Sequence, residues 1–95
     1  MFVGERMVIV RLYLHFREVV GKGELRIGGN PTPMDVLAVL SNKFPGFARY
    51  IERGDFIVLL NGVPVPDKDL RRITLNDNDV LEILPIVSGG SKICY

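Results

Sequence analysis

One stretch of this chain carries complete helix punctuation, and the residues on either side of it favour strands. Thr32 can cap a helix, Pro33 suits the first helical position, where its missing N–H costs nothing, and Asp35 stands three residues past the cap as a variant capping box. Met34, Val36, Leu37, Val39 and Leu40 supply an apolar stripe at helical spacing, and Pro45 forbids continuation. The spacing predicts a helix from Pro33 to Lys43 or Phe44, and Phe47, Tyr50 and Ile51 predict another turn or two before Gly54. One amphipathic helix can cover one face of one sheet, so the rest of the chain has to supply that sheet.

The flanking runs do so. Residues 7–16 are rich in Val, Ile, Leu and Tyr and read as a strand, with Val8, Val10, Leu12 and Leu14 inward and Ile9, Arg11, Tyr13 and His15 outward. Gly21-Lys22-Gly23 lets the chain reverse, and residues 24–27 alternate polar and apolar until Gly28-Gly29-Asn30-Pro31 stops them. The opening of the chain therefore reads as a hairpin with a loose connection. Residues 56–60 form a third strand, apolar on both faces. Asn61-Gly62 is a hairpin turn because both positions tolerate positive φ. Val63-Pro64-Val65 is a brief strand confined to a sheet edge by its proline, residues 66–70 hold a turn with a short 3₁₀ piece, and residues 80–87 form the last strand. The first and last strands are the most apolar and belong side by side in the middle. The order strand, strand, helix, strand, short strand, strand is a two-layer α+β roll.

Composition narrows the function. At 95 residues the chain supports one core. Its net charge of +1 lacks the concentrated basic surface of a nucleic-acid binder. Arg49 and Arg53, and the Arg71-Arg72 pair, are offset by Asp67, Asp69, Asp77 and Asp79 and read as a mixed solvated surface. Cys94 is the only cysteine, so neither an internal disulfide nor a cysteine metal cage is available, and a reducing cytoplasm is the expected home. No apolar run reaches membrane-spanning length, and residues 1–6 do not form a secretory signal. His15 stands alone, without a companion nucleophile or acid cluster. Paired carboxylates, metal-ligand spacing and a phosphate-cradling loop are all lacking, so the chain is not expected to be an enzyme, and no bound metal or cofactor is expected.

The remaining motifs carry a resemblance. Leu12-Tyr13-Leu14-His15-Phe16-Arg17-Glu18-Val19-Val20-Gly21, Val58-Leu59-Leu60-Asn61-Gly62, and the closing Asp77-Asn78-Asp79-Val80-Leu81-Glu82-Ile83-Leu84-Pro85-Ile86-Val87-Ser88-Gly89-Gly90 together resemble the ubiquitin-like β-grasp proteins. Within that superfamily they look most like the sulfur carriers MoaD and ThiS and the archaeal small modifiers. The proline-x-valine-x-glycine-glycine ending is the most specific part. The resemblance covers residues 7–90 and implies a mixed four- to five-stranded sheet packed on one main helix. Residues 1–6 then form an N-terminal extension and 91–95 a C-terminal one.

The resemblance implies that an E1-like enzyme adenylates the carboxylate of Gly90, using ATP that the partner binds, and that sulfur then replaces an oxygen. The resulting thiocarboxylate serves a molybdopterin synthase large subunit. Arg17-Glu18 and the Pro85 ending look more like MoaD than ThiS, which places the chain in molybdenum or tungsten pterin cofactor synthesis. Gly89 and Gly90 suit this role because a tail without β-carbons can thread a narrow channel, and Ser88 and Val87 continue it to the body. Tyr13, Pro64 and Leu84 align with an apolar sheet face that such partners grip. One departure stands out: five residues, 91–95, follow Gly90, so a processing protease must remove them before a carboxylate is free. The alternatives are a modifier joined to target lysines through Gly90, and a β-grasp binding module that is never activated.

Overall fold

The computed structural model describes residues 7–86; the tail residues Val87, Ser88, Gly89 and Gly90 and the extensions 1–6 and 91–95 lie outside the described residues. Five strands form one mixed sheet: β1 (Met7–Leu12), β2 (Glu24–Gly28), β3 (Phe56–Leu60), β4 (Val63–Pro64) and β5 (Val80–Pro85), in the order β2-β1-β5-β3-β4. β1 and β5 run parallel side by side near the middle, and every other pair is antiparallel. Helices α1 (Leu14–Val20), α2 (Pro33–Lys43) and α3 (Pro45–Arg53) cover one face. Among the described residues no helix is long and apolar enough to cross a membrane.

Local chemistry shapes the elements as expected at several points. The Asp35 N–H donates to Thr32 Oγ1 at 3.1 Å and the Thr32 N–H donates to Asp35 Oδ2 at 3.0 Å, closing the capping box at the start of α2. Asn61 and Gly62 take φ of 51° and 86°, the pair of left-handed conformations that a tight hairpin needs. Asn61 also fastens that turn to β5: its Oδ1 accepts the Val80 N–H at 2.9 Å. A 3₁₀ turn spans Asp67–Asp69, as anticipated. The core is one cluster in which Val8, Val10 and Leu12 of β1, Leu81 and Ile83 of β5 and Val58 of β3 meet Val36, Leu37 and Leu40 of α2.

The first strand is shorter than its sequence suggests. It ends at Leu12, and the next residues turn into α1. Leu14 takes φ 54°, which breaks the extended run, and its side chain, expected inward, is 63% exposed. Phe16 is fully buried, with its ring 4.6 Å from that of Phe47 and 5.2 Å, edge-on, from that of Tyr50. A short apolar run fits a period of 2 or of 3.6 equally well, and the docking of Phe16 against α3 decides between them. His15 faces outward as expected, but from a helix. The helical layer is therefore the main helix α2, the further turns of α3 expected before Gly54, and one helix that was not expected, α1. β5 also stops two residues before the expected end, at Pro85, and the Ile86 N–H donates to the Asp55 carbonyl at 3.0 Å.

Candidate functional site

Strand alternation that sends Val10, Leu12, Val58, Leu81 and Ile83 to the helices sends their neighbours to the opposite face, which no helix covers among the described residues. The register then orders that face. Glu24 of β2, Arg11 of β1, Glu82 of β5, Leu59 of β3 and Pro64 of β4 stand in one row across the sheet. Beside this row Ile57 lies opposite Leu84. Tyr13, just past the end of β1, lays its side chain over the same face and donates its hydroxyl to Glu82 Oε2.

Two chemistries meet there. On the β2 side, Arg11 Nε lies 3.5 Å from Glu24 Oε1, and an Arg26 guanidinium nitrogen 3.7 Å from Glu24 Oε2. On the β3 side the surface is apolar, with Ile57 45% and Ile86 37% exposed. The Tyr13 hydroxyl is held above the usual tyrosine range, first by its hydrogen bond to Glu82, then by burial and by the Glu82 charge, with Arg11 opposing. Tyr13 is therefore a neutral donor that shields the Glu82 carboxylate beside the apolar strip.

The strip leads to the end of β5. Phe56 faces Pro85 and Ile57 faces Leu84 at the last paired positions, and the bond from Ile86 to Asp55 holds the strand's exit against the start of β3. Whatever follows Ile86 leaves from the margin of the apolar strip. The structure thus brings Tyr13, Leu84 and Pro64 to one face, with Pro64 exposed at its β4 edge. Leu84 is half-buried on that face, away from the core. Sequence reasoning missed Ile57, Leu59, Ile86, Glu82 and Arg11. Residues 56–60 held a usable signal, because a strand apolar on both faces in a chain with a single helical layer leaves one apolar face uncovered.

His15 is exposed, with Nδ1 3.6 Å from Glu18 Oε1 and its ring 5.4 Å from that of Tyr50. Among the described residues no group of three or more His, Cys, Asp or Glu is placed to hold a metal.

Comparison with known proteins agrees with this architecture. Residues 10–90 match the ThiS family model, a match that runs through to Gly90. The chain is 36% identical over 88 residues to small archaeal modifier protein 3 of Haloferax volcanii, covering 85% of this chain and 96% of that protein. The solution structure of small archaeal modifier protein 1 from Methanosarcina acetivorans superimposes with a TM-score of 0.71 at 31% identity, covering 93% of this chain and all of the other. A Pyrococcus furiosus structure proposed as molybdopterin converting factor, subunit 1, shares the fold, with a TM-score of 0.69 at 23% identity, over 86% of this chain and 99% of that one. With its mixed sheet, its helices on one face and a family match over nearly its whole length, this chain belongs to the ThiS family of ubiquitin-like β-grasp proteins and is homologous to the small archaeal modifier proteins.

Proposed function

We propose that this protein is a carrier activated at the carboxylate of Gly90, and that it delivers sulfur from that end in molybdopterin biosynthesis. The observation that carries the reading is the exit of β5 at the margin of an exposed apolar strip. Ile57, Leu84 and Ile86 surround the point from which the Gly-Gly tail departs, with Tyr13 and Pro64 on the same face. A partner gripping that strip would receive the tail in a defined direction.

The chemistry follows from the tail. A carboxylate is a poor electrophile, and adenylation provides a leaving group. The Gly90 carboxylate oxygen bonds to the α-phosphorus of ATP on an E1-like partner and pyrophosphate departs. Sulfur then takes the acyl carbon and AMP departs. ATP belongs to the partner, and this domain contributes no acid, base or nucleophile. It contributes a grip and a backbone slim enough to enter another protein's active site. Removal of residues 91–95 by a protease frees the carboxylate, and a synthase large subunit then receives the thiocarboxylate.

A second reading, conjugation of Gly90 to target lysines, is favoured by the 36% identity to a protein named as a modifier. Both readings share activation and differ in product. The test incubates the full chain, and a chain ending at Gly90, with the E1-like enzyme, magnesium ATP and a sulfur donor, followed by intact mass spectrometry. The shortened chain should exchange one oxygen for sulfur while the full chain stays unmodified. A shortened chain that remains unmodified would refute activation. Mass added to lysines of other proteins, with no exchange of oxygen for sulfur, would favour the modifier.

A further inference from the structure

The surroundings of β5 leave one route for a chain that turns back after Ile86. β1 lies along one side of β5 and β3 along the other, with Leu12 opposite Ile83 and Phe56 opposite Pro85. Past these pairs the Tyr13 N–H donates to the Ile83 carbonyl at 3.3 Å, and the Ile86 N–H to the Asp55 carbonyl at 3.0 Å. Neither side of β5 therefore accepts a further strand. The helical face is occupied, with α1 packed against β5. A returning segment can bury apolar side chains only on the opposite face, which no helix covers among the described residues.

That face offers an apolar strip at the point of return. Glu82, Leu84 and Ile86 alternate with the buried Leu81, Ile83 and Pro85, so they belong to the open side. Leu84 is half-buried, while Ile57 opposite it is 45% exposed and Ile86 37%. The sequence past Ile86 supplies a turn and matching side chains. Gly89-Gly90 suits a two-residue reversal because both positions take positive φ without a β-carbon penalty. Ser91-Lys92-Ile93-Cys94-Tyr95 follows, and in an extended segment Ile93 and Tyr95 share one side while Lys92 takes the other. Reversal at 89–90 sets residue 93 level with Ile86 and residue 95 level with Leu84. Residues 1–6 start from the far end of the sheet, where the Asn78 N–H donates to the Met7 carbonyl at 2.9 Å.

We propose that residues 91–95 fold back over the open face and cover the apolar strip until they are removed. Ile93 lies against Ile86, Tyr95 over the Ile57–Leu84 pair, and Lys92 stays in water. A tether this short holds the segment at about millimolar effective concentration, so a contact with a Kd of about 1 mM is formed half the time. The contact is autoinhibitory, and in that consequence it rests on the function proposed above. While the segment lies on the strip, an activating enzyme cannot grip it. Hydrolysis of the Gly90–Ser91 amide, with water supplying the second carboxylate oxygen, then frees the reacting end and the surface that presents it in one step.

The test is nuclear magnetic resonance of the isotope-labelled full chain, with a reductant keeping Cys94 a thiol. Overhauser contacts should join the Tyr95 ring to the Leu84 and Ile57 methyls, and the Ile93 methyls to Ile86. The full-length I93S/Y95S variant, unaltered in residues 7–86, should lose them while its Val10 and Leu81 methyls keep their shifts. A neutral, water-soluble paramagnetic agent should broaden the Ile57 and Ile86 methyls of the variant roughly twofold more than those of the parent. Equal broadening, or no contact from Ile93 or Tyr95 to the strip, would overturn the proposal. So would contacts that strengthen with protein concentration, which assign the strip to another copy's extension, and contacts to it from Phe2 or Val3. None of these readouts uses an activating enzyme, so the contact and the activation of Gly90 succeed or fail separately.

Discussion

Replacing Phe16 with alanine and, separately, Leu14 with alanine separates two structures for the segment after β1. In a strand running through residue 16 both side chains point inward, and each truncation would cost several kcal/mol. In the structure Phe16 is fully buried against Phe47 and Tyr50, whereas Leu14 is 63% exposed on the first turn of α1. Deleting a buried phenylalanine side chain costs about 3–5 kcal/mol through lost transfer energy and the cavity left behind. For a domain of this size that lowers the melting temperature by roughly 15–30 °C and consumes much of a total stability of about 5–15 kcal/mol. Leu14→Ala keeps the Cβ that a φ of 54° disfavours and removes only exposed methyls, so it should change stability by about 0.5 kcal/mol or less. Urea melts of the three proteins at matched temperature decide the matter. A loss above about 2 kcal/mol for Leu14→Ala, or below about 1 kcal/mol for Phe16→Ala, would refute the assignment of α1.

Ile57→Asp should leave the melting temperature nearly unchanged but raise the KM for adenylation of the processed chain. A central anchor of such a patch carries about 2 kcal/mol, or roughly thirtyfold in affinity, and steady-state adenylation kinetics would expose an unaltered KM. Tyr13 should titrate above ordinary tyrosine by ultraviolet absorbance, and Glu82→Gln should bring it down. Because its folded pKa is raised, its contribution to stability is complete below the unfolded tyrosine pKa and is lost as pH rises through the folded value; stability that increases over that window would contradict the Tyr13–Glu82 bond. Gly46→Ala should destabilise by about 1 kcal/mol, because the new Cβ would lie 3.2 Å from both Val19 γ-carbons and overpack the contact between α3 and α1. Val19→Ala in the same chain should restore most of that loss in urea melts, and a Gly46→Ala variant more stable than the parent would show that the helices do not approach so closely.

Side chains that bond to backbone within a few residues were legible in advance, as were residues that stop an element outright. The Thr32–Asp35 capping box, the Asn61-Gly62 turn, Pro45 between two helices and Pro64 at an edge each depend on local geometry alone. The pairing of β1 with β5 was legible as well, because the most apolar strands lose least by sitting in the middle of a sheet. Tyr13, Pro64 and Leu84 were chosen by resemblance, and their common face follows from the register of strands far apart in sequence.

Sequence by itself determined the kinds of element, most of their ends and their central order, since propensity, capping and turn chemistry act over a handful of residues. Tertiary structure decided what those signals leave degenerate. It folded Leu14–Val20 into a helix because Phe16 packs on Phe47, and it joined Tyr13 to Glu82 across 69 positions. It also left Ile57 exposed beside the exit of β5. Each of those outcomes depends on which surface another element covers, and that is a property of the packed assembly of elements.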